Sequence, residues 1–239
     1  SQLEIKKMVK WFYYSQIRFR YISQLPSKLD KDLTIIINED NPFDKLLNLI
    51  ALERNLEITS NEFEGVGIQH PLWGLMKFYF KSKNAICLTT GINIRKNMGK
   101  KYKLEWDHIF PYSVLKDEGY GMDNRIKYQY AQEITNRAVL TAVANRTKSA
   151  QNADSYLEMV AKKFPNSLQL QCIPEDESLW KLENFELFLN ARRQVLAEEL
   201  NNYLENPNEF YNRARKAKDY INKFSAQRMV NHIKVLMLM

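Results

Sequence analysis

KLEWDHIFPYSVL, residues 103–115, is the stretch on which the reading of this chain turns. Tyr102, Leu104 and Trp106 alternate with Lys103, Glu105 and Asp107, the period-two pattern of a half-buried strand, and Pro111 stops the run. Asp107 and His108 stand side by side where the strand ends. The chain has only three histidines. An acid beside one of them is either a hydrogen-bonded loop pair or part of a metal-assisted hydrolytic centre, and taken alone the loop pair is the commoner case.

Working outward, AICLTTGINI (85–94) is β-branched and bounded by Gly91. KNMGKKY then supplies a glycine-containing turn, so 85–94 and 102–109 together predict a hairpin. Beyond Pro111 comes a long connection with DEGYGMDN as a loop. ITNRAVL and ANRTKS follow, and Asp154 is placed to cap a helix over SYLEMVAKKF. Asn136 lies 28 residues beyond His108, and Asn145 lies 9 beyond that.

Helices flank this region. Residues 2–22 carry Leu3, Ile5, Met8, Val9, Phe12, Ile17 and Tyr21 near helical spacing. A second helix restarts after Pro26. A third follows Asn41 as cap with Pro42 in its first turn, and a fourth spans 69–84. The clearest apolar stripe runs from Leu182 to Leu204, with Phe185, Phe188, Leu189, Arg192, Val195, Leu196, Leu200 and Tyr203 on one face. A basic helix or helix pair is expected over 207–236. The fold class that follows is α+β and mostly helical. Its expected segments are a helical lobe (1–84), a central strand-containing domain (85–165) and a C-terminal helical lobe (166–239), or else one compact unit.

The 239 residues are 45% hydrophobic and 12% aromatic, enough for a sizeable core. No run of about 18 uncharged apolar residues is present to span a bilayer, and no signal peptide is recognisable at the start. The chain opens on Ser1 rather than Met, as expected of a piece of a longer protein. Cys87 and Cys172 are too few for a disulfide framework or a four-cysteine zinc site, so a reducing, cytoplasmic setting is expected. Net charge is +7 and the pI near 9.2. The excess is concentrated: RKNMGKKYK (95–103) has five basic residues and no acid, and Tyr211 to Met239 holds seven Lys or Arg against Asp219 alone. Such surface draws polyanions through counterion release, though many soluble domains are equally basic.

An Asp-His pair ending a strand, then Asn136, then Asn145 with Lys148 in RTKS, resembles the HNH endonuclease family, which folds as a ββα-metal motif. The resemblance covers residues 86–165, and the flanking helices resemble the C-terminal part of GmrSD-type modification-dependent restriction proteins. In those, the nuclease follows a nucleotide-dependent domain that this chain lacks. The resemblance implies a Mg²⁺-dependent DNA endonuclease of a restriction or antiviral-defence system, with Mn²⁺ able to substitute and no structural zinc. It implies His108 as general base, Asp107 and Asn145 as metal ligands, Asn136 as a loop-fixing member of the catalytic group, and Lys148 beside the phosphate. Arg95, Lys96, Lys100, Lys101, Lys103 and Arg146 are the expected nucleic-acid contacts, double-stranded DNA the expected partner.

The chemistry asks for the same residue types. Hydrolysing a phosphodiester requires a base with a pKa near neutral, which histidine alone has unperturbed. Hard oxygen ligands suit Mg²⁺. Adjacent strand residues point to opposite faces, so Asp107 and His108 converge only if the strand bends at its end. The alternative is an inactive module that keeps the fold and binds nucleic acid. Other residues carry blander readings: Glu105 as an exposed strand acid, His70 and His232 as structural, and Trp11, Phe12, Tyr13 and Tyr14 as core rather than a base-stacking platform.

Replacing Lys100, Lys101 and Lys103 with Ala should weaken DNA binding regardless of sequence. The slope of log K against log salt should flatten by about 0.9 for each phosphate no longer neutralised. An unchanged slope in a titration of binding against salt would remove this segment from the interface.

Overall fold

The structure is a computed structural model that describes residues 2–94, 104–141 and 152–205. The basic stretch with Arg95, Lys96, Lys100, Lys101 and Lys103 lies outside the described residues, as do Asn145, Arg146, Lys148, His232 and the basic helix expected over 207–236. Among the described residues the chain is mostly helical with one two-stranded antiparallel sheet, an α+β fold. No described helix is long and apolar enough to cross a membrane.

The chain divides into two compact units, the first formed by Ser1–Glu57 with Asn202–Met239 and the second by Ile58–Asn201. In the first, α1 (Gln2–Ile17) packs against α3 (Pro42–Glu53), which also packs against α2 (Leu25–Asn38). Trp11, Tyr13 and Tyr14 are buried in this core with Ile17, Ile35, Leu46 and Ile50. Helix α1 stops at Ile17, short of the expected Ile22. Phe19 takes a left-handed conformation (φ 52°) and the Arg20 N–H bonds back to Ser15 O, a six-to-one closure that ends a helix. The turn delivers Arg20 to Asp32, where two guanidinium nitrogens donate to the two carboxylate oxygens at 2.6 Å each. The Tyr21 hydroxyl donates to the same carboxylate at 2.7 Å. Asn41 does stand at the start of α3, but its side chain makes no capping bond.

In the second unit α4 (Pro71–Ser82) precedes the strands, its first turn capped by His70, whose Nδ1 accepts from Leu72 N at 3.2 Å. Strand β1 (Leu104–His108) pairs antiparallel with β2 (Arg137–Thr141), Leu104 opposite Thr141 and His108 opposite Arg137. Between them lie α5 (Tyr112–Asp117) and α6 (Arg125–Gln132), and after β2 comes α7 (Ala153–Lys163). Asp154 is inside α7, which starts from Asn152, and its carboxylate accepts from Ser155 N. The last described helix is α8 (Phe185–Glu205), which belongs to this unit as far as Asn201.

The pairing corrects one expectation. Residues 85–94 do not pair with 104–108; they close on themselves. Ile86 bridges Asn93, Cys87 N bonds to Ile92 O, and Gly91 N bonds to Cys87 O. The Gln171 side-chain amide donates to Ile86 O at 2.9 Å and to Val139 O at 3.2 Å, and accepts from Val139 N at 2.7 Å. This amide therefore joins β2 to the 85–94 loop.

Helices cover both faces of the sheet. Ala138 and Leu140 share a core with Tyr156, Leu157 and Val160 of α7 and with Phe185, Phe188 and Leu189 of α8. On the opposite face Trp106 meets Trp73 of α4 edge-on, ring centroids 4.2 Å apart, with the Lys77 ammonium 6.0 Å from the Trp106 ring. A two-stranded ribbon is marginal by itself. Here burial on both faces supplies what the short ladder cannot.

Gly91 sits at φ +71°, and a Cβ there would lie 2.5 Å from the Phe164 ring; Gly65 has φ +68° but open space to 3.6 Å. Gly65→Ala should cost about 1–2 kcal/mol, the left-handed penalty alone. Gly91→Ala should cost a further 1 kcal/mol or more, roughly, from overpacking. Urea unfolding of the two variants checks the difference, and equal costs would mean the Phe164 ring yields freely.

Candidate functional site

The segment from Gln132 to Arg137 is held by many side-chain hydrogen bonds, and it sets where His108 sits. Glu133 is fully buried and receives Arg193 through two guanidinium nitrogens, at 2.8 and 2.6 Å. The same carboxylate accepts from Gly65 N at 2.8 Å and from the Thr135 hydroxyl. These donors offset the water that a fully buried carboxylate gives up. Arg192, next in the helix, has no exposed surface. Among the described residues its guanidinium donates only to carbonyls: Thr135 O (2.6 Å), Arg137 O (2.8 Å), Gln171 O (2.9 Å) and Cys172 O (3.1 Å). Burial lowers its pKa to about 10, with the Glu133 charge opposing the shift. In the sequence, Arg192 is the one cation inside the apolar stripe of α8. That stripe is buried except at Val195, which is 39% exposed.

Asn136 lies at the centre and is fully buried. Its Nδ2 donates to Phe110 O at 3.1 Å and to Ala131 O at 3.0 Å, and its Oδ1 accepts from Phe110 N at 2.9 Å. Its backbone carbonyl takes Ile109 N at 2.7 Å. The side chain thus binds the end of β1 to the end of α6. It positions other groups rather than facing a reacting atom.

Asp107 and His108 end β1, both half-buried. The ladder stays paired through His108 opposite Arg137, so no break in pairing separates the two residues. The pleat places Asp107 on the face of Ala138, towards α7, where its charge helps raise the Tyr156 pKa after the larger effect of burial. It places His108 on the other face with Trp106 and Arg137. The His108 Nε2 is 3.1 Å from Gln132 Oε1, and its ring lies 6.3 Å from that of Tyr112. Arg137 Nη2 donates to the same Gln132 Oε1 at 2.8 Å. Burial lowers the Arg137 pKa, and the Asp107 charge opposes that shift. Both members of the pair are therefore close to one guanidinium.

Sequence reasoning singled out neither Gln132 nor Arg137. The signal for Arg137 is its place opposite His108, legible only once β2 is known to be the partner strand. Glu105 shares the Asp107 face by alternation and is half-exposed. Among the described residues no group of three or more His, Cys, Asp or Glu side chains is arranged to hold a metal. The donors at hand are the Asp107 oxygens, of the hard type that suits Mg²⁺.

Asn136→Ala strips a partner from a buried N–H and two buried carbonyls, so the full chain should lose about 2–4 kcal/mol in urea unfolding. Asn136→Asp should lose at least as much, because its second carboxylate oxygen would face the buried Phe110 and Ala131 carbonyls that the amide NH₂ now serves. A smaller loss in Asn136→Asp would show that the donated bonds contribute little.

Set beside protein-family models, curated proteins and solved structures, the chain matches none of them.

Proposed function

We propose that this chain is a metal-dependent DNA endonuclease of the HNH type, the nuclease part of a restriction or antiviral-defence protein. The observation that supports it most is the order strand, antiparallel strand, helix, with Asp107-His108 ending the first strand and the buried Asn136 amide tying that end down. Helix α7 packs on the Asp107 face, as a ββα arrangement requires.

In this reading His108 takes a proton from the attacking water, a role suited to an imidazole near neutral pH. Because the ladder keeps it on the face opposite Asp107, the two act together only around the end of β1. Asp107 and the Asn145 amide oxygen would hold a Mg²⁺ or Mn²⁺ ion, which when bound supplies positive charge for the crowded phosphate. Two protein oxygens are few, which leaves positions for phosphate and water and matches the oxygen-only donor chemistry on this face. Lys148 neutralises charge at the phosphate. The basic residues of 95–103 with Arg146 hold the duplex backbone, a sequence-independent attraction. Trp106, held by Trp73 and Lys77, keeps the His108 face of the sheet covered up to the strand end.

His108→Ala should lower Mg²⁺-dependent cleavage of supercoiled plasmid by about 10²–10⁴-fold, with DNA affinity and melting temperature nearly unchanged. Chelator should abolish cleavage by the unaltered chain. Parallel loss of binding and folding in His108→Ala would make the residue structural. Binding without cleavage by the unaltered chain, in Mg²⁺ and in Mn²⁺, would favour an inactive nucleic-acid-binding module instead.

A further inference from the structure

A histidine acts as a base through whichever ring nitrogen lacks the proton, so its neighbour at the other nitrogen matters. At His108 that neighbour is Gln132 Oε1, 3.1 Å from Nε2. A glutamine amide turned over would offer NH₂ in place of oxygen, so this contact alone leaves the proton's place open. Arg137 removes the ambiguity. A guanidinium only donates, and its Nη2 lies 2.8 Å from that same atom. Turning the amide would set NH₂ against N–H, two donors facing each other in a half-buried place. The atom is therefore oxygen, it accepts from both sides, and the proton of a neutral His108 sits on Nε2. The ring's lone pair is then on Nδ1.

The three side chains meet because the backbone compels them to. The ladder puts Arg137 opposite His108 on one face. Gln132 closes α6 between two anchored residues: Ala131, whose carbonyl takes Asn136 Nδ2, and Glu133, which takes Arg193. The Arg137 carbonyl is itself held by Arg192. Arg137 forms no ion pair with a carboxylate among the described residues, and its Nε is buried without a hydrogen-bond partner. A cation placed so sparingly is poorly explained as a stabilising feature. Its one side-chain bond among the described residues goes to Gln132.

We infer that Gln132 is a positioning residue that holds His108 in the Nε2–H form with its lone pair on Nδ1, and that Arg137 locks the Gln132 amide in the orientation this requires. The catalytic consequence rests on the nuclease reading above; the proton's location does not.

Two measurements on the full chain test this. The first is long-range ¹H–¹⁵N correlation of ¹⁵N-histidine-labelled protein, at mildly alkaline pH where imidazole is neutral, with His108 assigned by the signals missing from His108→Gln. The unaltered chain should show Nε2 protonated without averaging. Gln132→Met, which keeps the length and removes the acceptor, should show exchange between the two forms. A proton on Nδ1 in the unaltered chain, or identical spectra for the two proteins, would overturn the inference. The second is cleavage kinetics. Gln132→Met should lower kcat about 10- to 100-fold with little change in KM. Gln132→Glu, which restores an acceptor oxygen facing both His108 and Arg137, should recover most of that loss. An unchanged kcat in Gln132→Met, or equal losses in the two variants, would also overturn it. Should the unaltered chain cut nothing, the nuclease reading falls and the spectra still decide where the proton is. Should Gln132→Met fail to fold, the spectrum of the unaltered chain and that of Gln132→Glu decide.

Discussion

One side-chain amide takes the place of a strand where the strand itself runs out. The β1–β2 ladder stops at His108 because Pro111 turns the chain away and cannot donate to a ladder. The next two residues would be left with unsatisfied backbone groups in a fully buried place. Asn136 meets the need: its carbonyl takes Ile109 N, and its side-chain amide pairs with both polar groups of Phe110 as a neighbouring peptide would. A third bond, to Ala131, carries the same amide across to α6. This junction holds the chain directly after the Asp107–His108 pair. Gln171 repeats the device beside β2, where its amide pairs with both backbone groups of Val139.

The polar groups around this junction are buried at a cost. Glu133 with Arg193, and Arg192 with four carbonyls, would be poor choices for stability alone, since apolar side chains of similar volume often do as well. What they contribute is direction. Hydrogen bonds of fixed length fix where residues 132–137 lie in a way that dispersion contacts do not, and His108 takes its position from that segment. The Arg20–Asp32–Tyr21 cluster has the same character within the first unit, where it sets the turn after α1.

Much of this was legible in residue patterns. The helices around 42–53, 71–82 and 185–205 lie close to their apolar periodicities, the Trp11–Tyr14 aromatics are largely core, and β1 is a strand ending at Asp107-His108. The partner of β1 was not legible, for a physical reason. Alternation says that a segment suits a sheet and says nothing about which edge it meets. The β-branched run at 85–94 lay nearer in sequence than 137–141, yet Gly91 lets it turn on itself and Gln171 takes its free carbonyl at Ile86. From that one unreadable choice follow the other omissions, since Arg137 and Gln132 gain meaning only when β2 stands beside His108. The expected metal ligand Asn145 and the expected phosphate contact Lys148 lie outside the described residues.

The arginine at position 192 also bears on timing. Ribosomes deliver a chain from its N-terminus, and segments fold as they emerge. By the time residue 141 is out, both strands are available to pair, but the carbonyls of Thr135 and Arg137 still await a donor more than fifty residues downstream. Until α8 arrives, water must serve those carbonyls, and a segment open to water cannot be the dry, fixed ledge on which His108 rests. A nascent chain therefore carries its Asp-His pair and the amides flanking it well before it has a finished centre. Vectorial synthesis thus gives the fold a built-in delay, in which the ledge under the proposed catalytic base is completed only once Arg192 has emerged.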